Sequence, residues 1–204
     1  MTNAHPPSFW DQRYADADYF YGEEPNTFLA AQAHLIPPGP VLCLAEGEGR
    51  NAVFLAGRGH AVTAVDGSAA GLAKANRLAA RRGVTLTTVV ADLAAFDITP
   101  NHWSAIVAIF AHLPPPLRRA TFAAAVVGLR PGGVFILEAY TPAQLAHGTG
   151  GPKDPTLLMS LSDLRTELSG LTLELGQEIE RDVIEGHGHT GRAAVVQVVG
   201  RKPV

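Results

Sequence analysis

The chain has 204 residues, 47% of them hydrophobic and 17% charged, with a formal net charge of −3. That composition supplies a large core and excludes disorder, and no apolar run approaches the ~18 residues that would span a bilayer. The single cysteine, Cys43, excludes a disulfide framework and a zinc site with two thiolates. The mild acidity argues against nucleic acid, whose binders carry a basic stripe to neutralise phosphates. The opening Met1 to Pro7 lacks the basic and apolar regions of a secretory leader, so the expected setting is the cytoplasm, with no membrane partner.

Residues 1–204 read as one domain, with 1–36 as a distinct cap. Seven of the 14 aromatic residues, Phe9, Trp10, Tyr14, Tyr19, Phe20, Tyr21 and Phe28, fall in its first 28 positions. Such a segment must pack on the rest of the protein. It is either a core-completing helical piece or a lid, since Gly22 and Pro25 punctuate it like a hinge.

From residue 41 short apolar runs alternate with helical stretches. Val41 to Ala45 is continuous and apolar, as a strand buried on both faces should be. Residues 50–58 suit a helix and Ala61 to Val65 a second strand. Ser68 caps a helix that runs to Arg82, with Gly83 just beyond it. Thr85 to Val90 is a third strand and Trp103 to Phe110 a fourth. Pro114 opens a helix to about Leu129. Leu129 to Gly133 breaks it, and Val134 to Leu137 is a fifth strand. Alternation of this kind means βαβ units and a parallel sheet. The tail differs: a helix over Ser162 to Leu168, then strands over Leu171 to Glu185 and Arg192 to Gly200. The Gly186 to Gly191 connector is too short for a crossover helix, so these two strands pair antiparallel.

Glu46-Gly-Glu-Gly-Arg-Asn-Ala52 follows the first strand and opens a helix, placing Gly47, Gly49 and Ala52 in a G-x-G-x-x-[GA] pattern. Asp66 ends the second strand, where an acidic side chain accepts hydrogen bonds from ribose hydroxyls. Glu46 and Glu48 oppose a pyrophosphate but suit a cofactor with a sulfonium and an ammonium, whose one carboxylate can sit at the helix N-terminus. S-adenosylmethionine therefore fits better than NAD. Asp92, at the end of the third strand, can accept the adenine amino group while Leu93 covers the ring. Ile109 to Pro115 follows the fourth strand; there His112 can take a proton or bind an anionic acceptor. His187 and His189 flank a glycine and read as a polar turn, without a third ligand for a metal.

Val41 to Gly49, Ala64 to Asp66, Ala91 to Leu93 and Leu129 to Val134 resemble, in order and spacing, the successive motifs of class I S-adenosylmethionine-dependent methyltransferases. Phe9 to Tyr14, Tyr21-Gly22 and Thr149 to Asp154 extend the resemblance to the tellurite-resistance TehB-type group. It implies an α/β, doubly wound, seven-stranded Rossmann-like sheet of order 3-2-1-4-5-7-6 with strand 7 antiparallel and an N-terminal helical cap. It also implies Gly47 and Gly49 against the methionine portion, Asp66 with Gly67 at the ribose, and Asp92 with Leu93 at the adenine. Glu46, Glu48, Phe110, Trp10 and Tyr21 complete the expected cofactor set. Cys43 and Ala45 depart from the usual pattern, Ala45 standing where the first glycine sits.

The expected activity is transfer of the sulfonium methyl to a small-molecule acceptor (a thiol, a selenium or tellurium oxyanion or similar), leaving S-adenosylhomocysteine. His112 is the catalytic candidate; Tyr140 and Lys153, in and after the fifth strand, are the acceptor-binding ones. A non-catalytic adenosylmethionine-binding protein and, with less support, an NAD-dependent oxidoreductase are the alternatives. No metal is expected, and the chain reads as a monomer or homodimer.

Overall fold

The computed structural model describes residues 7–204, so the reading of the first six residues lies outside the described residues. Seven strands form one sheet: β1 (Pro40–Leu44), β2 (Ala61–Asp66), β3 (Thr87–Val90), β4 (Trp103–Ile109), β5 (Leu129–Tyr140), β6 (Thr172–Glu185) and β7 (His189–Arg201). Their order is β3-β2-β1-β4-β5-β7-β6, with β1 to β5 parallel and β7 antiparallel to both β5 and β6. This is the doubly wound sheet, in the strand order that the resemblance implies.

Alternation along each strand divides the core between the two faces. Leu42, Leu44, Ile106, Phe135 and Leu137 point to one side, where α5 (Pro115–Gly128) brings Phe122 and Ala125. Val41, Cys43, Val107, Val134 and Ile136 point to the other, covered by α2 (Thr27–Gln32), α3 (Arg50–Gly57) and α4 (Ala69–Arg81). Cys43 is simply a buried member of that second face. The Ser68 side chain accepts from the Gly71 amide at 3.0 Å and caps α4, as its sequence position indicates.

Two expectations need correction. The stretch from Leu129 to Gly133 does not end before the fifth strand. Leu129 pairs with Trp103 and Val134 with Ala105, and the residues between form an irregularity inside β5. A Cβ on Gly133 would lie 2.9 Å from both the Arg130 and Trp103 carbonyl oxygens, so only glycine permits that close approach. The final connector is also shorter than residues 186–191: Glu185 pairs with His189, and Gly186 takes the left-handed φ of 64° that so tight a turn requires. His189 consequently belongs to a strand.

The cap comprises α1 (Pro7–Arg13), α2 and a 3-10 turn at Ala33–Leu35. It is tied down by buried polar contacts. Lys74, only 1% exposed, donates to the Asp16 and Asp18 carbonyls at 2.9 and 2.6 Å. The Tyr19 hydroxyl donates back to the Lys74 carbonyl at 2.8 Å, and the His187 amide donates to the Phe20 carbonyl at 2.8 Å. Among the described residues no helix is long and apolar enough to cross a membrane.

Candidate cofactor and acceptor site

A cavity of about 330 Å³ opens at the carboxyl edge of β1, β2 and β4, roofed by α1 and the segment after it and closed laterally by the β6–β7 turn. That is where a doubly wound sheet binds ligands, and the volume lies within the range of small-molecule sites. Two non-glycine residues in its wall have left-handed backbones: Ala45, with φ 50°, after β1, and Phe110, with φ 52°, after β4. Strain of roughly 1–3 kcal/mol per residue persists where the surroundings enforce it, and it clusters at functional sites.

Asp66 lines the cavity at 8% exposure and also braces the glycine loop. Its two carboxylate oxygens accept from the Gly47 and Ser68 amides, each at 2.8 Å. Burial raises its pKa against the pull of those amides. Gly67, Leu93, Phe110, Trp10 and Tyr21 also lie in the wall.

Other expected residues sit elsewhere or are occupied. Gly47 and Gly49 are outside the wall, and packing explains both. A Cβ on Gly47 would meet the Tyr14 hydroxyl at 2.7 Å, and one on Gly49 would meet Ala75 Cβ at 2.4 Å. Gly49 therefore lets α3 approach α4. Asp92 is exposed, outside the wall, and accepts from the Ala94 amide at 2.9 Å as a turn residue does.

Glu48 is in the wall, but its charge is spoken for. Lys74 Nζ lies 2.5 Å from Glu48 Oε1, and the Phe20 and Tyr21 amides donate to the same carboxylate, each at 3.2 Å. Glu46 likewise serves the loop itself, since its Oε1 accepts from the Asn51 and Ala52 amides at 3.0 and 2.8 Å. The first turn of α3, expected to receive the cofactor's carboxylate, thus already holds a carboxylate of the chain. Burial, partly offset by those amides, lifts the Glu46 pKa to about 7.

His112 lines the cavity with both ring nitrogens engaged. Nδ1 donates to the Leu157 carbonyl at 3.0 Å, which leaves Nε2 to accept from the Tyr140 amide at 3.4 Å. Burial depresses its pKa to about 4, so the ring is neutral at pH 7 and a weak base. Tyr140 is buried behind the wall, its ring stacked on Phe110 at 4.6 Å and on His112 at 5.6 Å. Lys153 is exposed and outside the wall; Gly150, Gly151 and Pro152 are the part of its loop that reaches the cavity.

The structure gives places at the site to residues that the sequence does not single out, and moves His189 from a polar turn into the wall. Arg13 sits over the Phe9 and Phe20 rings at 4.9 and 4.7 Å, within the wall. Arg50 Nη2 pairs with Glu185 Oε2 at 2.6 Å, both side chains buried. Asn26 donates to both Glu138 and Glu185 at 2.9 Å, and Arg181 pairs with the same two carboxylates. His189 contacts the Tyr21 and Phe110 rings at 4.5 and 4.4 Å. The position of Arg50, directly after the last loop glycine, was the one sequence signal that pointed to any of them. Among the described residues no three His, Cys, Asp or Glu side chains converge to hold a metal.

Residues 41–133 match the model of a methyltransferase domain family. No curated protein matches the chain. Among solved structures, one reported under the conversion of a disulfide bond into a thioacetal group during echinomycin biosynthesis has a TM-score of 0.78 and 23% identity, covering 98% of this chain and 92% of its own. TehB from Haemophilus influenzae has a TM-score of 0.70 and 18% identity over 96% of this chain and 66% of that one. A third is the 1,6-didemethyltoxoflavin-N1-methyltransferase of Burkholderia thailandensis, determined with S-adenosylhomocysteine, with a TM-score of 0.62 and 21% identity over 87% and 76% of the two chains. The chain thus shares its fold with these structures, and residues 41–133 carry its likeness to a methyltransferase domain. In fold it resembles TehB.

The cavity fits the cofactor on its own chemistry. Asp66 and Gly67 could receive the ribose of S-adenosylmethionine, Ala91 and Leu93 its adenine, and the half-buried Glu46 carboxyl, once ionised, its cation.

Proposed function

We propose that the chain transfers the methyl group to a small soft nucleophile, a thiol or a selenium or tellurium oxyanion, that reaches the cavity already ionised. The observation that carries this reading is the state of His112. Its pKa is about 4, its Nδ1 proton is held by Leu157, and the Tyr140 amide covers Nε2. An alcohol or a protonated amine would find no competent base at the fourth-strand edge. A thiol loses its proton to solvent, helped by the Arg13 and Arg50 guanidiniums in the wall.

S-adenosylmethionine supplies a methyl already activated on a positive sulfur. The chain's residues orient and exclude water. Asp66 would accept from the ribose hydroxyls, Leu93 would cover the adenine, and Trp10 and Tyr21 would close the cap over the site. The aromatic wall of Phe110 and Tyr21 holds the nucleophile in line. With that cofactor bound, displacement would form the bond from the acceptor to the methyl carbon as the sulfonium bond breaks, the bonding pair leaving with the departing sulfur. We assign His112 to orienting Tyr140 and shaping the wall, in place of proton transfer. One domain, acting in the cytoplasm as a monomer or homodimer without nucleic acid or membrane, completes the proposal.

Calorimetry with S-adenosylmethionine, S-adenosylhomocysteine and NADH, followed by methyl-transfer assays over thiol, selenite, tellurite and phenol acceptors, tests it. Cofactor binding with turnover on the soft acceptors is expected. Turnover confined to phenols would overturn the acceptor class. Binding without turnover on any acceptor would return the chain to a cofactor-binding protein.

A further inference from the structure

Two buried polar atoms in the cavity's residues have no hydrogen-bond partner among the described residues: Arg50 Nη1 and His189 Nδ1. Arg50 is 7% exposed and His189 8% exposed, and both residues line the cavity. Native proteins seldom leave such groups unpaired, so two in one cavity point to a ligand that completes them. Neither side chain is loosely held. Glu185 grips the opposite nitrogen of the Arg50 guanidinium at 2.6 Å, and Asn26 and Arg181 in turn hold Glu185. The His189 ring is wedged among Tyr21, Phe110 and Tyr140, with centroids 4.5, 4.4 and 5.3 Å away.

The charges around this corner define what it would take. Burial, reinforced by the charges of Arg50, Arg13 and Arg181, holds the His189 imidazole neutral. The carboxylates around them already have partners: Glu185 pairs with Arg50 and Arg181, Glu138 with Arg181, Glu48 with Lys74, and Glu46 and Asp66 accept from backbone amides. A neutral imidazole with a proton on Nδ1 and a guanidinium N–H are both donors. No carboxylate of the described residues reaches these two donors, and a group that accepts two hydrogen bonds would fill both.

We infer that Arg50 and His189 form an anchoring subsite for a carboxylate carried by the methyl acceptor, remote from its nucleophilic atom. Resting on the methyltransferase reading above, this narrows the acceptor to a soft nucleophile that also bears a carboxylate, such as a mercaptocarboxylic acid. The carboxylate takes the two donors, and the aromatic rings of Tyr21 and Phe110 flank the chain that links it to the sulfur. Neither residue exchanges a proton with the reacting atoms; both position the acceptor.

The test uses the full-length protein saturated with S-adenosylhomocysteine and two probes of equal carbon chain, 3-mercaptopropionate and its uncharged counterpart 3-mercaptopropan-1-ol. By calorimetry the acid is expected to bind roughly ten-fold more tightly than the alcohol, the size of one charge-assisted hydrogen bond. His189→Phe keeps the ring contacts and should bring that ratio close to one. The paired change Arg50→Gln with Glu185→Gln, which removes both charges together and leaves no buried ion alone, should do the same. Equal or undetectable binding of the two probes to the wild type, or a preference that survives His189→Phe, would overturn the assignment. A parallel loss of S-adenosylhomocysteine affinity in His189→Phe would also overturn it, by giving the donors to the cofactor's own carboxylate. Failure of the wild type to bind S-adenosylhomocysteine at all would instead strike the methyltransferase reading.

Discussion

Lys74 Nζ lies 2.5 Å from Glu48 Oε1, with the two side chains 1% and 2% exposed, and this ion pair fastens the N-terminal cap to the glycine loop. The lysine reaches the cap through the Asp16 and Asp18 carbonyls, and the glutamate through the Phe20 and Tyr21 amides. Removing one partner strands a buried charge, which costs about 3–5 kcal/mol, whereas removing both charges is far milder. Lys74→Met should therefore lower unfolding free energy by about that amount in urea titrations. Adding Glu48→Gln should recover much of the loss, and strictly additive losses would contradict the coupling.

Asp66→Asn should weaken S-adenosylmethionine binding by about 1.5–3 kcal/mol, the range for hydrogen bonds to a charged group. Asp66→Ala should also lower stability, because the Gly47 and Ser68 amides lose their acceptor. Isothermal titration and thermal melts on the same samples separate the two effects. Unchanged affinity in a folded Asp66→Asn would remove the residue from the site.

The raised pKa of Glu46 makes a signed pH prediction. A carboxyl whose folded value is about 7 against an ordinary 4.5 stabilises the fold fully below 4.5, and that contribution is lost as pH rises through 7. Glu46→Gln should flatten this part of the stability profile. A cationic cofactor favours the ionised form, so binding should tighten as pH rises through 7 and release protons. Calorimetry in buffers of different ionisation enthalpy measures that release, which should vanish in Glu46→Gln.

Ala45 occupies a left-handed conformation, with φ 50°, that glycine adopts without steric cost. Ala45→Gly should raise stability by about 0.5–1 kcal/mol, the relief of strain less the added chain entropy. A lower melting temperature would mean that the alanine methyl makes a contact worth more than the strain.

Lys153 is exposed, whereas a Cβ on Gly151 would lie 2.6 Å from the Tyr140 ring. Lys153→Ala should leave kcat/KM within about two-fold, as a solvated surface charge does. Gly151→Ala should cut it sharply by displacing Tyr140 and the Phe110 ring stacked on it. A large loss in Lys153→Ala would restore the lysine to the acceptor site.

How far the sequence reached follows from how local each cause is. Strand and helix positions, the Ser68 cap, the glycine loop and Asp66 at the second strand's end are written in runs of a few residues, where period, capping and turn chemistry act. The sheet order followed from those runs and the resemblance of their spacing. What the charged groups do was not written locally. Glu48 and Glu46 looked like a free acidic loop until folding brought Lys74 to one and the amides of α3 to the other. His112 looked like a base, and burial with two backbone partners made it a poor one. Arg50 meets Glu185 across 135 residues of sequence, and Asn26 meets that carboxylate across 159. The sequence by itself determined the scaffold and the place of Asp66 at the end of β2, because short-range sterics and hydrophobic pattern act within neighbouring residues. Only the tertiary structure decided which ionisable groups are paired, neutral or left unsatisfied, because electrostatics and desolvation depend on what packs nearby from the rest of the chain.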